Sequence, residues 1–154
     1  MLKKSVYNTK IGAIEIHCTE KHITYIKFLS DATKAKNSKS CELCDRAIIQ
    51  IHEYLDYKRT QFDLPLSLEG TDFQKKVWRA LCTIPYGKTV SYKTIAKAIG
   101  NPNAARAVGM ANNKNPIQIV VPCHRVIGSD GSLGGYASGI KIKQQLLAIE
   151  NGFN

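Results

Sequence analysis

No apolar run in this chain approaches the roughly 20 residues that a bilayer-spanning helix needs, and the opening MLKKSVYNTK lacks the apolar core of a secretory signal. A cytoplasmic protein with no membrane partner is the expectation. Internal repeats and low-complexity tracts are also missing, so nothing points to a solenoid. The 5 cysteines are odd in number and irregularly spaced, unlike a secreted disulfide framework, and reduced thiols are expected. Acidic side chains are scarce in one half only. Residues 1–70 carry 11 Lys+Arg and 9 Asp+Glu, whereas residues 71–154 carry 11 and 3, so +8 of the net +10 lies in the second half. A basic charge so concentrated is the footprint of a protein that meets a polyanion, nucleic acid above all.

The first half reads as a small sheet and a helix. In IGAIEIHC, Ile14, Ile16 and Cys18 alternate with Glu15 and His17, the pattern of a strand with one buried face. ITYIKF at 23–28 has the β-branched and aromatic content of a second strand. From Cys41 the period changes: Cys44, Ile48, Ile51 and Leu55 share one helical face. The polar stretch 34–40 reads as a loop, and DLPLSLEGT at 63–71 as a linker. Cys41 and Cys44 form a Cys-x-x-Cys pair, but further zinc ligands would have to come from Cys18, His17, His22 or His52, none at a familiar spacing. The pair is read as incidental, and no metal is expected.

The second half reads as a run of helices. TDFQKKVWRALCTI has Thr71 or Asp72 as N-cap and sets Phe73, Val77, Trp78, Leu81 and Ile84 on one side. A helix over Ser91–Ile99, a stop at Gly100, a turn at Asn101-Pro102 and a helix over Asn103–Asn113 make a helix-turn-helix pattern. On its second helix Ala104, Ala107, Val108 and Ala111 read as the inward stripe, with Arg106 the only outward charge. Ala105 and Gly109 are small enough for close approach to a partner, as a helix laid in a DNA groove requires.

IVVPCHRVIG at 119–128 reads as a buried strand ended by Pro122, then Cys123, His124 and Arg125. A thiol becomes a strong nucleophile as the thiolate, which a base or nearby cations favour. In extended backbone Cys123 and His124 would point to opposite sides, so a bridging water is a better link than direct contact. In the terminal helix, Ile142, Leu146 and Ile149 face inward. Glu150 falls in the last turn, where the helix dipole disfavours a carboxylate; it either orients His124 or frays into solvent.

NPIQIVVPCHRVIGSDGSLGGYASG, preceded by YGKTVSYKTIAKAIGNPNAARAVGMA, resembles the active-site domain of the O6-alkylguanine-DNA alkyltransferases, also called methylated-DNA-protein-cysteine methyltransferases. The resemblance runs from Phe73 to Glu150. It implies an α/β fold: a small ribonuclease-H-like α/β domain over 1–68, then a mostly helical, winged-helix-like domain with the helix-turn-helix over 69–154. It also implies direct transfer of an alkyl group from O6-alkylguanine, and from O4-alkylthymine, to Cys123 after nucleotide flipping. No cofactor takes part, and the partner is alkylated double-stranded DNA met by a monomer.

By position, the resemblance makes His124 and Glu150 the water-linked activators of Cys123, and Asn115 the hinge between recognition helix and active-site strand. Arg106 would replace the flipped base. Tyr92 would press on a phosphate and protonate the leaving guanine at its ring nitrogen. Ala105, Gly109 and Arg125 would face DNA, and Tyr136, Ala137 and Ser138 with Val121 and Pro122 would wall the pocket. Ser138 stands where many relatives have glycine, which bears on tolerance for large alkyl groups. Two competing classes are a non-catalytic helix-turn-helix regulator or damage sensor, which needs no reactive thiol, and a cysteine hydrolase, which needs a histidine in direct contact with its thiol.

Overall fold

The computed structural model describes residues 2–30 and 41–152. The chain divides into two compact units, Met1–Glu69 with Pro116–Gln118, and Gly70–Asn115 with Ile119–Asn154. The stretch 34–40, expected as a loop, lies outside the described residues.

In the first unit β1 (Lys3–Thr9), β2 (Gly12–Cys18) and β3 (Ile23–Phe28) form an antiparallel meander on which α1 (Glu42–Leu55) packs. Ile14, Ile16 and Cys18 are fully buried while Glu15 and His17 are only partly covered, and Cys44, Ile48, Ile51 and Leu55 bury the matching face of α1. Each such aliphatic side chain contributes about 1.5–3 kcal/mol. The β1 strand is not legible in sequence, because the residue it buries is Ser5. The outer edge of β3 is closed by two segments. Leu66, from the expected linker, pairs with Ile23, and Ile117 pairs with Ile26. Ile26 N–H donates to the Pro116 carbonyl at 2.9 Å and Gln118 N–H to the Ile26 carbonyl at 2.8 Å. An edge strand so covered offers no template for aggregation.

The second unit opens at α2 (Asp72–Leu81) with a capping box: Gln74 N–H donates to the Thr71 hydroxyl at 3.1 Å, and Thr71 N–H to Gln74 Oε1 at 3.0 Å. Gly70 is required here, since a Cβ would meet the Trp78 ring at 2.6 Å. Trp78 is 2% exposed and donates its indole N–H to the Ala111 carbonyl at 2.9 Å, fastening α2 to α4 (Ala105–Asn113). Before α4 come β4 (Val90–Ser91) and α3 (Tyr92–Ala98), capped by Ser91. The turn between the helices passes through Gly100 at φ 81°, where a side chain would be strained. The parallel pairing of Val90 with Val126 and Ser91 with Ile127 joins β4 to β5 (Val126–Ile127). α5 (Ile140–Asn151) ends the fold.

Two inward faces differ from the sequence expectation. On α4, Ala107 is exposed and Asn112 is buried beside Val108 and Ala111. On α5, Ile142 is half-covered and Lys143 is fully buried. Apolarity alone misplaces both faces, because each buries a polar residue that holds backbone near Cys123.

Candidate active site

The run 119–121, expected as a strand, is a turn. Ile119 takes a left-handed φ of 72°, which costs a β-branched residue about 1–2 kcal/mol. The Asn115 amide holds the turn by donating to the Val121 carbonyl at 2.8 Å. Pro122, at φ −83° and ψ 65°, then makes an inverse γ-turn, with Cys123 N–H donating to the Val121 carbonyl at 2.8 Å. Arg125 N–H reaches the Pro122 carbonyl at 3.0 Å, so Cys123–Arg125 form one 3₁₀ turn. Side chains on such a turn fan out about 120° apart instead of alternating. The thiol, imidazole and guanidinium therefore take three separate directions.

Two of those directions meet at Glu150. His124 Nε2 lies 2.6 Å from Glu150 Oε2, while Arg125 Nε donates to Oε1 at 2.8 Å and Nη2 to Oε2 at 3.0 Å. Gly87 N–H adds a bond to Oε1 at 3.2 Å. Glu150 is thus not frayed: it is 5% exposed, and the guanidinium supplies the charge that the end of α5 withholds. Arg125 corrects an expectation. It is 7% exposed and its remaining nitrogen donates to the Ile84 carbonyl at 2.7 Å, so its guanidinium is spent on Glu150 and the backbone inside the unit and not presented on the surface.

Burial pushes the His124 pKa down, with Glu150 opposing, so the ring is neutral near pH 7. A carboxylate only accepts, so Nε2 carries the ring proton and Nδ1 the lone pair. That nitrogen is the base this network offers. Cys123 is 3% exposed, and burial pushes its thiol up. The Asn115 amide, the Lys143 ammonium and the Tyr136 hydroxyl pull the other way. The resting group is a thiol poised among donors.

Two further residues at the site carry no signal in the sequence. Asn112 on α4 donates to the Cys123 carbonyl at 3.2 Å, a second tie beside the Asn115 hinge. Lys143 donates to the carbonyls of Val126 at 2.6 Å, Gly135 at 3.3 Å and Leu133. Burial pulls its pKa down to about 8, against the nearby Cys123. A buried lysine among isoleucines and leucines on an amphipathic helix is invisible to periodicity, as is an asparagine that replaces an alanine stripe.

Tyr92 opens α3 directly after β4, and β5 directly follows Arg125, so the two-residue ladder sets the phenol beside the Cys123 turn. Burial raises the Tyr92 pKa, opposed by a hydrogen bond to the Gly135 backbone. Gly134, at φ 70°, lies where a Cβ would strike the Tyr92 hydroxyl. In the loop, Tyr136 is 8% exposed and buried, Ser138 is half-covered and Ala137 is exposed. Val121 and Pro122 are buried. Arg106 is exposed in the first turn of α4, whereas Ala105 and Gly109 are half-covered. A Cβ at Gly109 would lie 3.7 Å from the Tyr92 ring, an ordinary contact, so the packing of α3 does not itself demand a glycine there.

Residues 72–152 match the family described as 6-O-methylguanine DNA methyltransferase, DNA binding domain, and residues 2–68 its ribonuclease-like domain. The chain belongs to this family. It is 49% identical over 149 residues to a methylated-DNA–protein-cysteine methyltransferase of Methanosarcina barkeri, covering 94% of each chain. The crystal structure of Mycobacterium tuberculosis O6-methylguanine methyltransferase superposes with a TM-score of 0.89 at 42% identity, covering 98% of this chain and 93% of that one. A structure of the M. tuberculosis OGT in complex with DNA gives 0.87 at 44% identity, covering 95% and 91%. The mixed α/β first unit and helical second unit are thus the fold of the family.

Proposed function

We propose that this methyltransferase-family chain repairs alkylated duplex DNA by moving the alkyl group from O6-alkylguanine, and O4-alkylthymine, to Cys123, acting as a monomer. The observation that carries the reading is the Cys123 thiol on a 3₁₀ turn whose next two side chains are locked to Glu150. The basic second half supplies attraction to phosphates, and Arg106 on the exposed side of α4 fills the gap left by the flipped nucleotide. Flipping costs a few kcal/mol, which this filling partly offsets.

In the pocket the thiol proton passes through a water to Nδ1 of His124, and Glu150 stabilises the resulting imidazolium. The sulfur attacks the alkyl carbon, so a C–S bond forms as the C–O bond breaks. The departing guanine takes a proton at its ring nitrogen from Tyr92. Asn115, Asn112 and Lys143 act through Cys123 and the pocket loop and are positioning residues.

The test is intact-protein mass after incubation with methylated duplex DNA. A gain of one methyl, localised to Cys123, is the expected result. Tight binding with unchanged mass would instead make the chain a damage sensor.

A further inference from the structure

Cys18 at the end of β2 and Cys41 and Cys44 at the start of α1 place their three sulfurs within 4.8 Å of one another. Cys18 and Cys44 are fully buried and Cys41 is 8% exposed. The structure joins Cys18 and Cys41 as a disulfide where reduced thiols were expected, yet their Cα atoms are 7.8 Å apart, beyond the 4.4–6.8 Å that a disulfide ordinarily spans. A third sulfur, Cys44 Sγ, stands 3.0 Å from Cys18 Sγ, and a disulfide has no use for it. Tetrahedral zinc–thiolate bonds of about 2.3 Å bring ligand sulfurs about 3.8 Å apart and tolerate wider backbone separations.

The start of the helix presents a backbone donor to the cluster. Cys41 is the N-cap of α1, and its sulfur accepts the Cys44 N–H at 3.3 Å, a backbone donor aimed at a prospective ligand. The Ser5 hydroxyl hydrogen-bonds the Cys44 thiol, and Asp45 stands next along the helix. Asp45 is itself held by the Tyr7 hydroxyl at 2.9 Å.

We infer that Cys18, Cys41 and Cys44 form a three-thiolate site for a thiophilic divalent cation, zinc in the first instance, with a water as the fourth ligand. Loading exchanges three thiol protons for one Zn²⁺ and leaves a net charge of −1 on the site. A monovalent soft ion such as Cu⁺ would leave −2 in the same buried setting, which is why the divalent ion is preferred. The ion would clip the end of β2 to the start of α1, fixing the base of the first unit.

The test uses the full reduced chain, stripped of metal and titrated with Co²⁺ and then Zn²⁺. The expected result is one equivalent of cobalt, bound with release of three protons and showing sulfur-to-metal charge transfer and tetrahedral ligand-field bands, then bleached by zinc with no further proton release. A thiol reagent should then modify Cys18, Cys41 and Cys44 more slowly in the zinc form than in the metal-free reduced chain, with the rates at Cys82 and Cys123 unchanged. Cys41→Ser, at the exposed rim of the cluster, should lose the cobalt spectrum while Cys82→Ser keeps it. Three outcomes would overturn the site: no stoichiometric binding by the wild-type chain, a spectrum that survives Cys41→Ser but vanishes with Cys123→Ser, or a Cys18–Cys41 disulfide that persists under reductant. The titration and protection of the wild-type chain decide the matter even where a variant fails to fold.

Discussion

At the scale of single residues, the second unit concentrates its risk in Glu150. One carboxylate answers a buried guanidinium and a buried imidazole, and removing one partner of a buried charged set costs about 3–5 kcal/mol. Glu150→Gln should therefore lower unfolding stability by that amount in urea titrations and slow transfer to Cys123 far more than it weakens DNA binding. A stable variant with normal transfer would remove Glu150 from the mechanism. His124 adds a pH dependence with a definite sign. Burial holds its folded pKa below the ordinary 6.5, so as pH falls through 6.5 the unfolded chain takes up a proton that the folded chain refuses. Stability is fully present above pH 6.5 and declines below it. Thermal melts from pH 7.5 to pH 5 should show this decline, and His124→Gln should flatten its own share of it. Lys143 works in the alkaline range. With its pKa pulled from 10.5 to about 8, the unfolded chain binds more protons between those values, so that group's share of stability rises with pH there.

At the scale of elements, the chemistry depends on one proline and a two-residue ladder. Pro122 turns the chain so that Cys123, His124 and Arg125 diverge, and β4 with β5 brings the start of α3 alongside. Part of this unit was legible: Trp78 as core, Gly100 as stop and Thr71 as one of two candidate caps follow from residue type and spacing, whereas Glu150 stayed between pairing with His124 and fraying until the resemblance favoured the pair. The turn at 119–121 was not, because Ile, Val and Val favour strands and only long-range hydrogen bonds from Asn115 force the left-handed Ile119. Arg125 was misread for a related reason, since its chemistry suits a phosphate and a buried carboxylate equally. The recognition helix carries its own prediction. Arg106 is exposed on α4 and makes no part of the Glu150 network, so Arg106→Ala should impair transfer from a lesion in duplex DNA much more than transfer from the free alkylated base. Equal loss on both substrates would give Arg106 a structural role instead.

At the scale of the whole molecule, charge and chemistry set how the chain meets and leaves its substrate. With +8 in residues 71–154, DNA affinity should fall steeply as salt rises, linearly on a double-logarithmic plot; a flat response would count against phosphate contacts. Cys123→Ser should leave that affinity within about tenfold, roughly 1.4 kcal/mol, because a side chain only 3% exposed offers DNA little area. The product of transfer decides the rest. An alkylated Cys123 is a thioether, and its carbon–sulfur bond has no carbonyl for water to attack, unlike the acyl-enzyme of a cysteine hydrolase. His124, already paired with Glu150, can accept the thiol proton but has no electrophile to direct a water toward. Each chain should consequently be consumed by one lesion. With excess methylated duplex, repaired product should rise in a single phase and stop at one equivalent of active protein, and fresh protein alone should restart it. Several products per Cys123 would overturn the mechanism and move the chain among the hydrolases.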